Sequence, residues 1–286
     1  MMAAMDDPTP AEPPADRSPA EGAAPPPAAP FPPIDEHSRL GIDIGGTGIK
    51  GAPVDPRTGQ LLGERLRIPT PQPATPEAVA GTVQQIVEHF EWKGPIGATL
   101  PGIVKDGVLL TAANIDAGWK GTNAAELFSS TTGNPVSLIN DADAAGIAEM
   151  RFGAGVGRSG VVIMITLGTG IGFALFNEGV LLPNTELGHI ELDGKDAESR
   201  ASDRVREEKE LGWKKWGERV DAYLDRVDAL LWPDLIIIGG GVSKKADKFF
   251  PYLNTRAELV AAKLQNEAGI VGAALIVADP VAPPAG

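Results

Sequence analysis

Three glycine-rich turns, each directly after an apolar run, constrain this chain more than any other sequence feature. They lie at residues 45–48, 168–172 and 239–241. Because glycine has no Cβ, backbone N–H groups at such turns can converge on an anion. One turn of this kind is explained equally well as a tight hairpin. Three in order, none with the spacing of a P-loop or a dinucleotide-binding loop, predict a phosphate-binding cleft.

The segments between the turns predict an α/β fold, because strand-like and helix-like patterns alternate along the chain. Both halves open with a hairpin around a glycine turn, which suggests an internal duplication with a cleft between two lobes. Strands or hairpins are predicted at 39–44, 49–54, 61–68, 95–100, 103–110, 136–139, 161–167, 171–176 and 235–238, and helices at 75–90, 142–152, 212–231 and 269–278.

Composition predicts where the folded part begins. Residues 1–37 are rich in Pro and Ala, and their apolar area is too small to offset the entropy of ordering. We therefore expect a disordered tail at 1–37, an N-terminal lobe at 38–140 and a C-terminal lobe at 141–286. The closing helix is expected to be able to pack back on the N-terminal lobe.

Charge and cysteine content exclude several classes of protein. The formal net charge of −13 argues against a nucleic-acid or anionic membrane surface. The absence of cysteine removes disulfides and thiolate zinc sites, and it fits a reducing compartment. No apolar run approaches the ~20 residues of a membrane span, and no secretory signal opens the sequence. We expect a cytoplasmic protein with neither nucleic acid nor membrane as partner.

Two groups of carboxylates are candidates for chemistry. Asp43 ends the strand before the first turn, where it could hold hydrated Mg²⁺. Asn140 and Asp141 stand between a strand and a helix, followed by Asp143. Helix capping explains Asp143 well and the adjacent pair less well. We interpret Asp141 as a general base and Asn140 as an amide that fixes the substrate.

Glu186 and His189 form a second candidate group, because a carboxylate and an imidazole three residues apart can hydrogen-bond neighbouring hydroxyls of a polyol. A lone histidine is more often a structural hydrogen-bonding group. The third turn runs towards a predicted helix start, which favours anions, although Lys244 and Lys245 could equally be solvated helix residues. The candidate phosphate-binding residues are Gly45, Gly46, Thr47, Gly48, Lys50, Gly168, Thr169, Gly170, Gly240, Gly241 and Lys244.

These motifs resemble the ROK family of bacterial sugar kinases. Residues 43–50 and 167–172 resemble its phosphate loops, residues 140–141 its sugar-binding and catalytic pair, and residues 186–189 its sugar-binding motif, here termed the sugar clasp. The resemblance implies a two-lobed actin-like (ribonuclease H-like) fold with a central cleft. It also implies that Asn114 and Gly102 assist Asn140 and the sugar clasp in binding the sugar.

Within this family, the resemblance is to actinobacterial members that use inorganic polyphosphate, over residues 40–278. It implies transfer of a phosphoryl group from polyphosphate or ATP, with Mg²⁺, to the 6-hydroxyl of glucose, and a homodimer. The alternatives are a strictly ATP-dependent hexose kinase of the same family and a sugar-sensing protein without catalysis.

The chain departs from the family pattern after the sugar clasp. Many members carry a cysteine-rich zinc loop there, whereas residues 193–216 of this chain are charged and contain no cysteine. His189 is therefore assigned to sugar contact. The second sugar-binding glutamate that zinc-containing members place beyond that loop has no counterpart assignable from the sequence. A Pro/Ala tail stands where repressors of the family carry a helix-turn-helix, which makes a repressor a poor match.

Overall fold

The first half of the chain builds one mixed sheet. The structure, a computed structural model, describes residues 31–112 and 115–278. The elements of this half are β1 (Arg39–Ile44), β2 (Ile49–Asp55), β3 (Gln60–Leu61), β4 (Leu66–Ile68), α1 (Pro76–His89), β5 (Ile96–Leu100), β6 (Val104–Lys105), β7 (Val108–Leu109), α2 (Ala124–Thr132) and β8 (Val136–Asn140). The sheet order is β3-β2-β1-β5-β8, with β4 also paired to β2. β1 and β2 are antiparallel, whereas β1, β5 and β8 run parallel.

The second half of the chain builds another sheet with the same arrangement of strands. Its elements are α3 (Asp141–Phe152), β9 (Val161–Leu167), β10 (Ile171–Asn177), β11 (Val180–Leu182), β12 (Glu191–Leu192), β13 (Lys195–Asp196), α4 (Glu198–Ala201), α5 (Asp203–Glu208), α6 (Trp213–Leu231), β14 (Leu235–Gly239), α7 (Ala246–Phe249), β15 (Glu258–Ala261) and α8 (Ala268–Leu275). The order β11-β10-β9-β14-β15 repeats that of the first sheet, again as an antiparallel hairpin followed by parallel strands. This shared order supports the internal duplication expected from the sequence.

The two sheets enclose a layer formed by α3 and α8. Leu40, Ile42 and Ile44 of β1 face a core shared with α1 and α2. On the second sheet, Ile163 and Ile165 face a core shared with α4, α6 and α7. The remaining faces of both sheets, together with α3 and α8, form a third core. Strands buried on both faces, such as β9 and β14, are almost entirely apolar, which explains the continuous apolar runs in the sequence.

Close backbone contact seats α8 between the sheets. A Cβ on Gly97 of β5 would overlap the carbonyl oxygen of Ala273, and a Cβ on Gly272 would overlap the carbonyl oxygen of Ala144 in α3. Any side chain at these positions would separate the helix from its neighbours. The closing helix α8 therefore packs on strands β1 and β5 of the first sheet.

Most predicted elements are present, and the differences have local causes. Thr75 caps α1 by accepting the Ala78 N–H, so the helix begins at Pro76. The strand predicted at 61–68 is instead the two short strands β3 and β4, both paired to β2. After the third turn, a 3₁₀ helix over Gly241–Lys245 replaces the predicted start of an α-helix. α2, α4, α5 and strands β11, β12, β13 and β15 were not predicted.

The proposed boundaries of tail and lobes stay a prediction. Residues 1–30 of the expected tail lie outside the described residues. Residues 31–37 are exposed, and burial begins at Ser38, which is 3% exposed. Among the helices that the structure describes, none combines the length and the apolarity that crossing a membrane requires.

We expect Gly97→Ala to lower the free energy of unfolding by about 1–3 kcal/mol or more, because the new methyl group overlaps backbone that cannot rotate away. Gly81→Ala is the matched control, since Gly81 lies inside α1 with no atom within 4 Å of the added Cβ. The control should gain up to ~1 kcal/mol of helix propensity. Urea unfolding of both variants measures the difference, and equal stabilities would contradict the packing described for α8.

Candidate active site

A cleft of about 660 Å³ collects most of the residues that the sequence singled out. It is bordered by all three glycine turns, by the start of α3 and by the sugar clasp. The predicted site residues that line it are Asp43, Gly45, Gly46, Thr47, Lys50, Gly102, Asn140, Asp141, Gly168, Thr169, Gly170, Glu186, His189, Gly240 and Gly241. Residues from both sheets and from α3 thus meet in a single cavity.

The junction between β8 and α3 places Asn140 and Asp141 at the cleft. Asn140 is the N-cap of α3, and its side-chain oxygen accepts the N–H groups of Ala142 (2.8 Å) and Asp143 (3.1 Å). Its Nδ2 donates to the carbonyl oxygen of Gly102 at 3.1 Å. The Asn140 side chain therefore caps the helix and fixes the turn at Gly102 at the same time. Asp141 is the first residue of α3, so its carboxyl is the first polar side chain of the helix.

Burial, together with the negative charges of Asp43 and then Glu186, raises the pKa of Asp141 to about 7, against a backbone hydrogen bond from Ala142. A carboxyl whose pKa is near neutrality can hold or release a proton at physiological pH. Burial is the main cause of this raised pKa, and the gathering of three acidic residues at one cleft adds to it.

Asp143 has a different environment, although it is only two residues away. It is 1% exposed, and its Oδ2 accepts the Asn184 N–H at 2.8 Å. Burial raises the pKa of Asp143 to about 6, opposed by that hydrogen bond. Asp143 does not line the cleft. The geometry therefore favours Asp141 over Asp143 as the carboxyl that reaches a substrate.

The donor set around Asp43 fits a magnesium ion. Asp43 Oδ2 lies 3.0 Å from Lys50 Nζ, and Oδ1 accepts the Thr99 hydroxyl at 3.2 Å. The described residues contain no cluster of three or more His, Asp or Glu side chains suited to a metal. Mg²⁺ does not require one, because it binds through one or two carboxylates, water and phosphate oxygens. Asp43 supplies such a carboxylate at the cleft.

The sugar clasp is held by residues from the segment that replaces the zinc loop. His189 Nδ1 lies 2.9 Å from Asp196 Oδ2, and Nε2 lies 4.0 Å from Glu198 Oε2. Burial alone would lower the pKa of His189, but the hydrogen bond with Asp196 and the nearby carboxylates raise it. Burial raises the pKa of Glu186, while the charge of His189 lowers it.

Glu198 is a cleft residue that sequence reasoning missed. Its side chain is only 12% exposed, and Oε2 accepts the N–H of Ile171, within the second glycine turn, at 3.0 Å. Glu198 therefore joins the sugar clasp to a phosphate loop. A local signal existed, because Ala197 and Ala201 are apolar residues four apart in an otherwise charged run, and both are fully buried. That spacing places one turn of helix against the core.

The glycine turns are closed by their own backbone bonds. Gly45 N–H donates to Gly48 O at 3.2 Å, and Gly168 N–H donates to Gly170 O at 3.0 Å. In the third turn, Gly240 has φ +81°, and a Cβ there would overlap the carbonyl oxygen of Leu167, just before the second turn. The second and third turns can therefore touch only because residue 240 is glycine.

Three predicted site residues do not join the cleft or cannot be placed. Gly48 closes the first turn instead of lining the cleft. Lys244 is exposed on the 3₁₀ helix, whose turn buries Val242 and Ser243 and directs the lysines outward; Lys245 Nζ lies 5.7 Å from the ring centre of Trp213. Asn114 lies outside the described residues.

Comparison with known proteins identifies relatives that span most of this chain. It is 52% identical over 242 residues to a polyphosphate glucokinase of Mycobacterium tuberculosis, covering 84% of this chain and 91% of that protein. Among solved structures, it matches the inorganic polyphosphate/ATP-glucomannokinase of Arthrobacter sp. strain KM with a TM-score of 0.82 and 50% identity, covering 84% of this chain and 98% of that one.

A second solved structure is that of a relative with a bound sugar and a bound nucleotide analogue. The ROK family glucokinase of Streptomyces griseus, in complex with glucose and AMPPNP, matches with a TM-score of 0.72 and 26% identity, over 84% of this chain and 98% of that one. These matches confirm the predicted α/β, two-lobed actin-like fold. The ROK family model matches residues 39–205, and this chain therefore belongs to the ROK family.

Proposed function

We propose that this chain is a glucokinase that transfers a phosphoryl group from inorganic polyphosphate, or from ATP, to the 6-hydroxyl of D-glucose. The observation that carries the proposal is that one cleft joins the Asp141 carboxyl, the sugar clasp and all three glycine turns. The similarity to the M. tuberculosis polyphosphate glucokinase, at 52% identity, supports the choice of donor and acceptor.

Asp141 is the general base in this proposal. It accepts the proton of the glucose 6-hydroxyl as that oxygen attacks the terminal phosphorus of the donor. The bond from phosphorus to the bridging oxygen breaks, and ADP or a polyphosphate one unit shorter leaves. A pKa of about 7 suits this role, because a base works best when its pKa is close to the working pH.

The sugar is oriented by the residues around Asp141. Asn140, Glu186 and His189 are proposed to contact its hydroxyls, and Glu198 joins them because it lines the same cleft beside His189. Gly102 acts indirectly, because its carbonyl oxygen accepts a hydrogen bond from Asn140 Nδ2 and so holds the Asn140 side chain in place. A contribution from Asn114 rests on the family resemblance.

The donor phosphates are proposed to bind at the glycine turns and Lys50. Among the described residues that line the cleft, Lys50 is the only lysine or arginine, so backbone N–H groups must supply most of the contacts. Asp43 would hold Mg²⁺, which when bound neutralises charge on the phosphoryl oxygens. Lys244 and Lys245 lie just beyond the third turn, where the distal part of a long donor would pass. The homodimer, proposed from the family resemblance, is testable by sedimentation.

We expect Asp141→Asn to lower turnover by ~10²–10⁴-fold with glucose still bound, because the amide cannot accept the proton. Asp143→Asn is the matched control. Its amide oxygen can still accept the Asn184 N–H, so its turnover should stay within ~10-fold of wild type. Steady-state kinetics and glucose calorimetry measure both. The opposite ranking of the two variants would show that Asp143 is the base.

We expect Glu186→Gln to weaken glucose binding while the fold stays intact, since hydrogen bonds to the sugar hydroxyls lose their charge assistance. Calorimetric titration with glucose measures the affinity, and circular dichroism checks the fold. Unchanged affinity would remove Glu186 from the sugar clasp.

The donor is tested by assaying glucose phosphorylation with long-chain polyphosphate and with ATP, each with Mg²⁺. We expect turnover with polyphosphate and an affinity for it that falls with salt, because long polyanions release counterions on binding. Lys244→Ala/Lys245→Ala should raise the KM for polyphosphate more than the KM for ATP. The control Lys93→Ala/Arg226→Ala removes the same charge from exposed positions that do not line the cleft.

The same assay separates the alternatives. Turnover with ATP and none with any polyphosphate length would identify a strictly ATP-dependent hexose kinase. Glucose binding without turnover of either donor would identify a sugar-sensing protein.

A further inference from the structure

One side chain outside the proposed catalytic set connects three parts of the cleft wall. Asn184 lies between β11 and the sugar clasp, and its carboxamide binds both main-chain polar groups of Val104 in the β6–β7 hairpin. Oδ1 accepts the Val104 N–H at 2.9 Å, and Nδ2 donates to the Val104 carbonyl oxygen at 3.0 Å. The side chain thus pairs with the hairpin as the backbone of a neighbouring strand would.

The main chain of Asn184 is fixed as well. Its N–H donates to Asp143 Oδ2 at 2.8 Å, and Asp143 is buried in the first turn of α3. Asn184 also has φ +60°, a left-handed conformation that asparagine tolerates better than most residues. Backbone conformation and side-chain chemistry therefore both favour asparagine at this position.

Asn184, Val104 and Asp143 each have a cleft-lining residue within two positions along the chain. Ile103, directly before Val104, and Glu186, two residues after Asn184, both line the cleft, as does Asp141, two residues before Asp143. Asn140 adds a parallel link by donating to the Gly102 carbonyl oxygen. A shift of Asn184 would therefore change the distance between the sugar clasp and the hairpin opposite it.

We propose that Asn184 is a positioning residue for the acceptor sugar: bonded to Val104 and anchored by Asp143, it sets the spacing between the sugar clasp, the β6–β7 hairpin and the start of α3. The inference rests on the proposed glucokinase function. Asn184 and Asp143 act on the acceptor side of the cleft and not on the donor side, because none of their hydrogen bonds reaches a glycine turn.

The test is Asn184→Gly, which keeps the left-handed backbone accessible and removes the whole side chain, the carboxamide included. We expect the Kd and KM for glucose to rise at least about tenfold, the effect of two lost hydrogen bonds, with the donor KM within about twofold. Glu178→Gly is the matched control, because Glu178 has φ +50° in an exposed turn between β10 and β11. The control should keep wild-type affinity for glucose.

Asp143 supplies a second pair of variants. Asp143→Ala removes the acceptor for the Asn184 N–H and should reproduce the loss of glucose affinity, whereas Asp143→Asn, which retains an acceptor oxygen, should restore most of it. Hydrogen exchange at the Val104 amide should accelerate in Asn184→Gly and in Asp143→Ala. These measurements use the folded full chain, and unfolding midpoints identify any variant that has lost its fold.

The outcomes are distinguishable. Equal changes in glucose and donor KM, or unchanged glucose affinity with fast exchange at Val104, would overturn the positioning role. If Asn184→Gly does not fold, the contrast between Asp143→Ala and Asp143→Asn decides the question. Failure of the wild-type chain to bind glucose would instead overturn the proposed function on which the inference rests.

Discussion

The contact of α3 and α8 with each other and with the strands on either side is the constraint on which the cleft depends. Gly97 and Gly272 allow backbone to meet backbone there, with no side chain between the layers. α3 begins with Asp141 at the cleft, and Gly269 near the start of α8 leaves room for the Asp43 carboxylate, which a Cβ there would approach to 2.8 Å. Interiors are packed too densely to absorb a misplaced helix, so the same contact that stabilises the core sets the position of both carboxylates.

An acidic protein that binds polyanions must reduce, at the binding site, the repulsion between its own negative charge and the ligand. The net charge is −13, and Asp43, Asp141 and Glu186 all face the cleft. Their mutual repulsion contributes to the raised pKa of Asp141, and a cation between them and the phosphates would relieve it. Backbone N–H groups at the glycine turns carry no charge that must be compensated, so they suit a cleft of this kind better than many lysines would.

The sugar clasp is supported by the charged segment at residues 193–216. Asp196 fixes one ring nitrogen of His189, and Glu198 reaches from the same segment to the backbone of Ile171. The hairpin of β12 and β13 and the short helices α4 and α5 hold these carboxylates without a cysteine. Hydrogen bonds and a buried helical turn thus orient His189 and Glu198.

The sequence by itself determined the α/β pattern, the three glycine turns and the candidates Asp43, Asp141, Glu186 and His189, because strand periodicity, glycine geometry and carboxylate chemistry are local properties. It favoured Asp141 over Asp143 because capping explains Asp143 well, but the difference in their surroundings, with Asp141 lining the cleft and Asp143 outside it, is a property of the tertiary structure. It missed Glu198 and the link from Asn184 to Val104, and it did not show that Lys244 faces outward, beyond the residues that line the cleft. Only the tertiary structure decided these points, because which side chains share a cleft depends on contacts between residues far apart in the chain.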